Sequence, residues 1–257
     1  MWKRSELKAK AKVSFKRNYW RSVLISLLFA LLVGGGTSVA SSSSWREEAD
    51  QTVDGEESSL EEDIEELVKD EEFKERIQSM DKKTLTIYMV GFFIGASIVF
   101  LVIMALCILL DVFVCNPVEI GCDRYYIRNL REPAQVGNIG YVFDSNYKSM
   151  VKTMFFRDLY VFLWTLLLVI PGIVKAYQYM MIPYLLAENP EMTKEQAFAE
   201  SKRMMSGQKW RAFVLDLSFI GWEILSLLTF GLVGIFYVNP YRDSTHAALY
   251  EKLRYSN

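Results

Sequence analysis

The stretch 170-IPGIVKAYQYMMIPYLLAENP-190 is apolar over most of its length, is interrupted by Pro171-Gly172 and Asn189-Pro190, and carries one cation, Lys175. Upstream, Leu159 to Val174 holds no charged residue. A straight helix over residues 158–187 would be about 45 Å long at 1.5 Å per residue, well beyond the roughly 30 Å of bilayer hydrocarbon. The segment therefore bends. Proline removes a backbone donor and glycine frees the backbone, so Pro171-Gly172 is the expected connection between two short helices. Lys175 then lies near a surface, where its stem can snorkel.

Working outward, two further apolar runs carry no charge, Ser22–Trp45 and Thr84–Leu110. Each exceeds the ~20 residues that a helix needs to cross a membrane. Hydrophobic residues make up 51% of the 257-residue chain and charged residues 23%, and the two kinds are segregated into runs and blocks. The formal net charge of −2 hides that segregation. Buried helices of a soluble protein would be the alternative, but runs of this length are unusual in so short a chain. The arrangement Ser38-x-Ala40 within "TSVASSSS" has the form of a signal-peptide cleavage site. The apolar stretch before it is long for a signal sequence, and an uncleaved first span is the reading adopted.

The charged blocks set the orientation. Residues 1–21 carry Lys3, Arg4, Lys8, Lys10, Lys12, Lys16, Arg17 and Arg21 against Glu6 alone, which places this end in the cytoplasm. Leu7, Ala11 and Phe15 recur at helical spacing, so an amphipathic helix on the anionic inner leaflet is expected. Residues 46–83 hold sixteen acidic and six basic residues and form an external loop. Within it, Ser58 and Glu61 stand at capping-box spacing ahead of an amphipathic helix. Its acidity could recruit a basic protein partner, with a solvated charge run as the plainer reading. The basic content of residues 188–211 and of the C-terminal tail returns both to the cytoplasm.

The expected fold is all-α: a polytopic transmembrane bundle of six helices with hairpins broken at Pro-Gly or Gly, plus amphipathic surface helices; four long spans are the alternative. In a single membrane domain, 1–257, the layout is a basic segment 1–19, spans 20–40 and 84–114 around the acidic loop 41–83, and a cytoplasmic surface segment 115–154. A hairpin 155–187 broken at 171–172, a cytoplasmic helix 188–210 and a hairpin 211–253 broken near Phe230-Gly231 follow. Gly91 and Gly95 form a small-xxx-small pattern in the second span. Cys107, Cys115 and Cys122 lie near one helix face and read as structural thiols rather than a metal or redox site, since no CxxC is present.

The stretches "RSELKAKAKVSFKRNYW", "NPVEIGCDRYYI", "FRDLYVFLWTLLLVIPGIVKAYQYMMIPYLLAENP", "SKRMMSGQKWRAFVLDLSFIGW" and "VNPYRDSTHAALYEKLR" resemble a group of bacterial integral membrane proteins, common in Firmicutes and classed only as a domain of unknown function. The chain is also distantly similar to the membrane domain attached to some glycerophosphodiester phosphodiesterases, whose catalytic metal-binding carboxylates have no counterpart here. The resemblance implies a bacterial cell-membrane location and a helical fold, and implies no activity.

Ionisable residues at membrane depth are costly to bury and are therefore candidates for function. Asp216, Glu223, Asn239, Arg242 and Asp243 are the candidates for a ligand or ion site, with Lys175 and Asp158 behind them; internal salt bridges are the plainer alternative. Pro171, Gly172, Gly231 and Pro240 are the candidate hinges, and Asn239-Pro240 is expected to break a helix and free carbonyls into a polar cavity. His246 is the single histidine, which excludes multi-histidine metal sites. Neither GxxxxGK[ST] nor GxSxG occurs, and the glycines 34–36 follow no strand, so no phosphate loop, catalytic residue, metal or cofactor is expected. Nucleic acid is excluded by the lack of a basic stripe on a polar fold, and membrane lipid is the expected surrounding. The leading functional expectation is a non-enzymatic scaffold or accessory protein. A transporter or channel component with a cavity near Asp216, Glu223 and Arg242 is the first alternative, and a lipid-handling enzyme is the second.

Overall fold

A computed structural model describes residues 2–34, 81–144 and 146–255. Nearly all of the acidic loop, its expected helix and the small-residue stretch 37–44 lie outside the described residues. The chain divides into two units, residues 1–39 with 110–257, and residues 40–109. The described residues are helical, with no strand among them.

In the second unit the described element is α3 (Lys82–Leu110), 29 residues or about 44 Å long. It lies in the helical run Lys82–Arg131, which is the one helix among the described residues long and apolar enough to cross a membrane; its best window has a mean hydropathy of 3.1.

The first unit contains α1 (Arg4–Arg17), α2 (Tyr19–Gly34), a π-helical turn at Asp111–Cys115, and α4 (Asn116–Arg131). After a 3-10 turn at Val136–Ile139 come α5 (Tyr141–Asp144), α6 (Tyr147–Leu167), α7 (Val169–Tyr179), α8 (Ile182–Glu188) and α9 (Lys194–Met204). Then follow α10 (Lys209–Leu217), α11 (Ile220–Leu228), a second π turn at Gly234–Val238, and α12 (Asn239–Tyr255).

At the centre is α4. Twelve of its sixteen residues are buried, and it packs against α1, α2, α6, α8 and α12. The sequence reading placed this arginine-rich segment along a surface. Instead, Tyr125, Tyr126 and Ile127 point into the core, while Arg128 and Arg131 fall in the last turn, where cations favour the negative end of the helix dipole. Buried Asn129 is satisfied on both sides: its amide donates to the Ser14 carbonyl at 3.1 Å, and its side-chain oxygen accepts from Asn18 at 3.1 Å. Those bonds tie α4 to the first two helices. The apolar positions Leu7, Ala11 and Phe15 of α1 are likewise turned inward, against α12 and α4, rather than outward to lipid.

Both π turns end at an Asn-Pro pair, and proline explains them. Pro117 has no N–H, and in an α-helix its ring would strike the Phe113 carbonyl four residues back. The helix widens instead: Asn116 N–H bonds to the Asp111 carbonyl, five residues back. The Phe113 carbonyl that Pro117 leaves unbonded accepts the Tyr147 hydroxyl at 2.6 Å. Ahead of Pro240, Asn239 N–H bonds to the Gly234 carbonyl in the same way. Asn239-Pro240 thus widens the helix where a break was expected.

The chain is divided more finely than the two expected hairpins, with further helix breaks between α7 and α8 and between α10 and α11. The chain reverses at Leu168, whose extended backbone (φ −159°, ψ 135°) separates α6 from α7. Pro171 sits in the first turn of α7, where a missing N–H costs nothing. Gly172 holds the hairpin closed: a Cβ there would lie 2.2 Å from Thr165 Oγ1 and 2.6 Å from Thr165 Cα. In the second hairpin α11 ends in a Schellman motif. Phe230 N–H reaches the Leu227 carbonyl, and Gly231 N–H reaches the Ser226 carbonyl at 2.8 Å. Phe230 (φ 50°) and Gly231 (φ 84°) are both left-handed. Gly234 again faces a hydroxyl residue, Ser226.

Individually, α7 is about 16 Å long and α10 and α11 about 14 Å each, less than the hydrocarbon thickness. The six-span expectation therefore reduces here to an all-α fold with one helix of spanning length and apolarity. Gly172→Ala should lower the stability of the protein by about 1–3 kcal/mol, because Thr165 presents backbone as well as side chain. Gly95→Ala, mid-helix with nothing within 4 Å, should leave the thermal midpoint unchanged or raise it.

Candidate functional site

Between the hairpins, α2, α4 and α12 lies a cavity of about 1100 Å³. Its wall holds six carboxyl residues (Glu119, Asp123, Asp158, Asp216, Glu223 and Asp243) against Arg157 and Arg242, with His246 beside them. The lining runs from Phe219, 1% exposed, to Phe162, 62% exposed, so the cavity is a cleft that reaches the exterior.

The two Asn-Pro helices position this chemistry in register. Glu119 and Asp123 stand three and seven residues after Asn116; Arg242 and His246 stand three and seven residues after Asn239. On a helix such positions share one face. Corresponding positions thus carry opposite or complementary charge, and each finds its partner on a neighbouring helix. Arg157 of α6 forks onto Glu119, with Nη1 and Nη2 at 2.7 and 2.9 Å. Glu223 of α11 accepts from Arg242 at 2.8 Å. Tyr184 of α8 is hydrogen-bonded to Asp123. Asp216 of α10 lies 2.5 Å from His246 Nε2 and accepts the Tyr177 hydroxyl at 2.7 Å.

The remaining groups close the network. Arg157 also reaches Asp158, and Asn116 donates to Asp158 at 2.7 Å. Ser26 of α2 donates to Asp243 at 2.9 Å and shares a 2.6 Å bond with the Tyr126 hydroxyl.

Of the residues singled out from sequence, Asp216, Glu223, Arg242 and Asp243 meet in this cavity, together with Asp158. Asn239 opens α12 directly after the π turn and is not part of the lining. Lys175 lies over the Trp164 ring, 4.8 Å from its centroid, outside the cavity. Glu119, Asp123, Arg157 and His246 are additions to that set; the repeated Asn-Pro spacing is a signal for Glu119, Asp123 and His246, whereas Arg157 lies on α6, which carries no such pair.

Asp123 is buried, with the Glu119 and Asp243 carboxyls and the Arg157 guanidinium near it. Among the described residues no group of three or more His, Cys, Asp or Glu is arranged to hold a metal ion. The carboxylates face arginines, tyrosines, serines and a histidine. What the arrangement can do is attract and desolvate a cation, or pass a proton along the Tyr177–Asp216–His246 line.

Two consequences can be measured. Arg157→Met strands Glu119 and Asp158 and should cost about 2–3 kcal/mol of stability, whereas Arg242→Gln, in a pair about 40% exposed, should cost about 0–1 kcal/mol.

Comparison with curated proteins and with solved structures finds no match. The family model described as "Protein of unknown function (DUF975)" matches residues 64–257, which include most of the cavity wall. By that match over most of its length, the chain belongs to the DUF975 family.

Proposed function

We propose that this is a multi-pass protein of the cell membrane, with both termini cytoplasmic, that binds a small organic cation in the acidic cavity as a transporter or channel component. The observation that carries the reading is the convergence of six carboxyl residues and two arginines in one cleft, leaving four excess negative charges when all are ionised. Aromatic faces from Phe29, Phe162, Tyr177 and Phe213 share the wall. Carboxylates give an organic cation its counter-charge, and aromatic rings stabilise its face. The volume suits a ligand of roughly drug size.

The membrane reading is supported by the exposed apolar residues at the hairpin ends. Leu166 to Ile170 are all more than 60% exposed, as are Leu227, Leu228 and Phe230. A soluble monomer rarely presents contiguous apolar surface of that kind. In this reading these ends sit in hydrocarbon, and the cytoplasmic side holds the ion-paired ends of α8, α9 and α12. There Glu188 accepts the Tyr250 hydroxyl at 2.8 Å, and Glu200 binds Arg203 and Arg254 at 2.7 and 2.6 Å. A scaffold would not need its intramembrane charges to converge in a cleft, and the acidic loop that motivated that role is almost entirely outside the described residues.

The test uses a background without Cys107, Cys115 and Cys122 and a single thiol at Ile173, which lines the cleft. A cationic methanethiosulfonate should react at least about tenfold faster than an anionic one, after correction for their rates with a free thiol, as a focused negative potential demands. The pair Asp216→Asn and Glu223→Gln should reduce that ratio, and millimolar tetraethylammonium should protect the thiol. Equal rates with both reagents, or no protection, would sink the cation-binding reading.

A further inference from the structure

A second cavity, of about 690 Å³, opens where the start of α1 meets α10. Its charged lining is Lys3, Arg4, Lys8 and Arg211, with no acidic residue. The nearest acid in sequence, Glu6, lines a different depression on another face of α1. Nothing on the wall neutralises these four cations, and two are held in place by other bonds. Lys8 Nζ donates to the Ser218 carbonyl at 3.3 Å and lies 4.1 Å above the Phe219 ring centroid. Arg211 donates to the Trp2 carbonyl at 2.7 Å and stacks over the Trp2 ring. Trp2 is itself buried and anchored by a 2.9 Å bond from its indole nitrogen to Gln208.

The backbone adds to the field. Lys3 is the N-cap of α1 and provides no side-chain cap, and Arg4 and Ser5 in the first turn of this fourteen-residue helix line the same cavity. Burial and the neighbouring Arg4 together lower the Lys8 pKa, the response of an ammonium in an uncompensated positive site.

We infer that this cavity is a binding site for a phosphoryl group, supplied by the headgroup of an anionic phospholipid. Lysine and arginine forks with free helix N–H groups are the chemistry that binds phosphate oxygens. The lipid source is argued from the rim. Trp210, 72% exposed, borders the cavity, and amphipathic tryptophan is the residue favoured at headgroup depth. From Val214 on the wall, α10 and α11 continue into exposed Leu217 and Ile220, an apolar track along which acyl chains would lie. The lipid source rests on the proposed membrane location; the phosphoryl site rests on neither that location nor the cation-binding cavity.

Native mass spectrometry of the full-length protein in detergent tests the site. With phosphatidylglycerol added, one lipid should be retained with marked preference over phosphatidylcholine. Lys3→Gln with Arg4→Gln, both exposed, should weaken that retention about tenfold or more, given roughly 1 kcal/mol per headgroup-facing cation. Lys12→Gln with Lys16→Gln, on the same helix but outside the cavity, should leave it unchanged, and thermal midpoints establish that both pairs remain folded. Equal loss in the two pairs, or no preference for phosphatidylglycerol, overturns the site. Displacement of the lipid by millimolar inorganic phosphate keeps the phosphoryl chemistry but overturns the lipid as its source. Extraction of the protein from washed membranes is scored separately, so failure of the membrane reading is not confused with failure of the site.

Discussion

Proline has no N–H to give, and its ring cannot share space with the carbonyl four residues back. At Pro117 and Pro240 that constraint is met by one extra residue in the turn, the π segments Asp111–Cys115 and Gly234–Val238. The extra residue rotates everything that follows by about 100° relative to a regular helix, at 3.6 residues per turn. It thereby turns Glu119 and Asp123 on one helix, and Arg242 and His246 on the other, toward a common cavity. Were either helix regular through this point, those faces would be aimed elsewhere. Pro117 also frees the carbonyl that receives Tyr147, so the same event pins the start of α6.

The two segments 111–131 and 234–254 match position for position at Phe113 and Phe236, Asn116 and Asn239, Pro117 and Pro240, Leu130 and Leu253, and Arg131 and Arg254. The π turns coincide under the same offset, and α4 packs against α12. The molecule therefore uses one local device twice and inverts the charge it carries. Glu119 takes an arginine from the first hairpin; Arg242 takes a glutamate from the second. A cavity built in this way holds its charges in pairs, which limits the cost of taking them out of water. It also leaves a surplus on the acidic side from Asp123, Asp216 and Asp243, which bond to neutral tyrosines and serines or to a histidine.

How far the sequence could be read depended on whether a feature was local. Apolar runs marked α3 and the exposed hairpin ends because hydropathy is additive along a chain. Asp216 and Glu223 stood out because each interrupts such a run, and Arg242 and Asp243 because they follow closely on one. Glu119 and Asp123 did not, since they lie among arginines and tyrosines in a segment whose average polarity resembles a surface; its burial comes from the helices packed around it, which no window along the chain can register. The turn at Leu168 was misplaced by three residues for a related reason. Proline ends helices that precede it but fits the first turn of one that follows, and the choice was decided by the contact between Gly172 and Thr165 across the hairpin.

The pairing in the cavity also bears on chemistry. An acid–base enzyme acting through two carboxyls needs at least one that is unengaged and poised near the working pH. Here Glu119, Asp158 and Glu223 are committed to arginines or asparagine, and Asp216 is held by both Tyr177 and His246. Asp123 and Asp243 bond to Tyr184, and to Ser26 and Tyr126. These bonds are ones that an arriving cation could exchange without breaking a covalent bond, since tyrosine and serine hydroxyls can rotate from donor to carboxylate into acceptor for an ammonium. The cost of exchanging a neutral donor is smaller than that of displacing an arginine. A ligand ammonium would therefore settle at the Asp123, Asp216 and Asp243 side of the cavity and leave the two arginine pairs as walls.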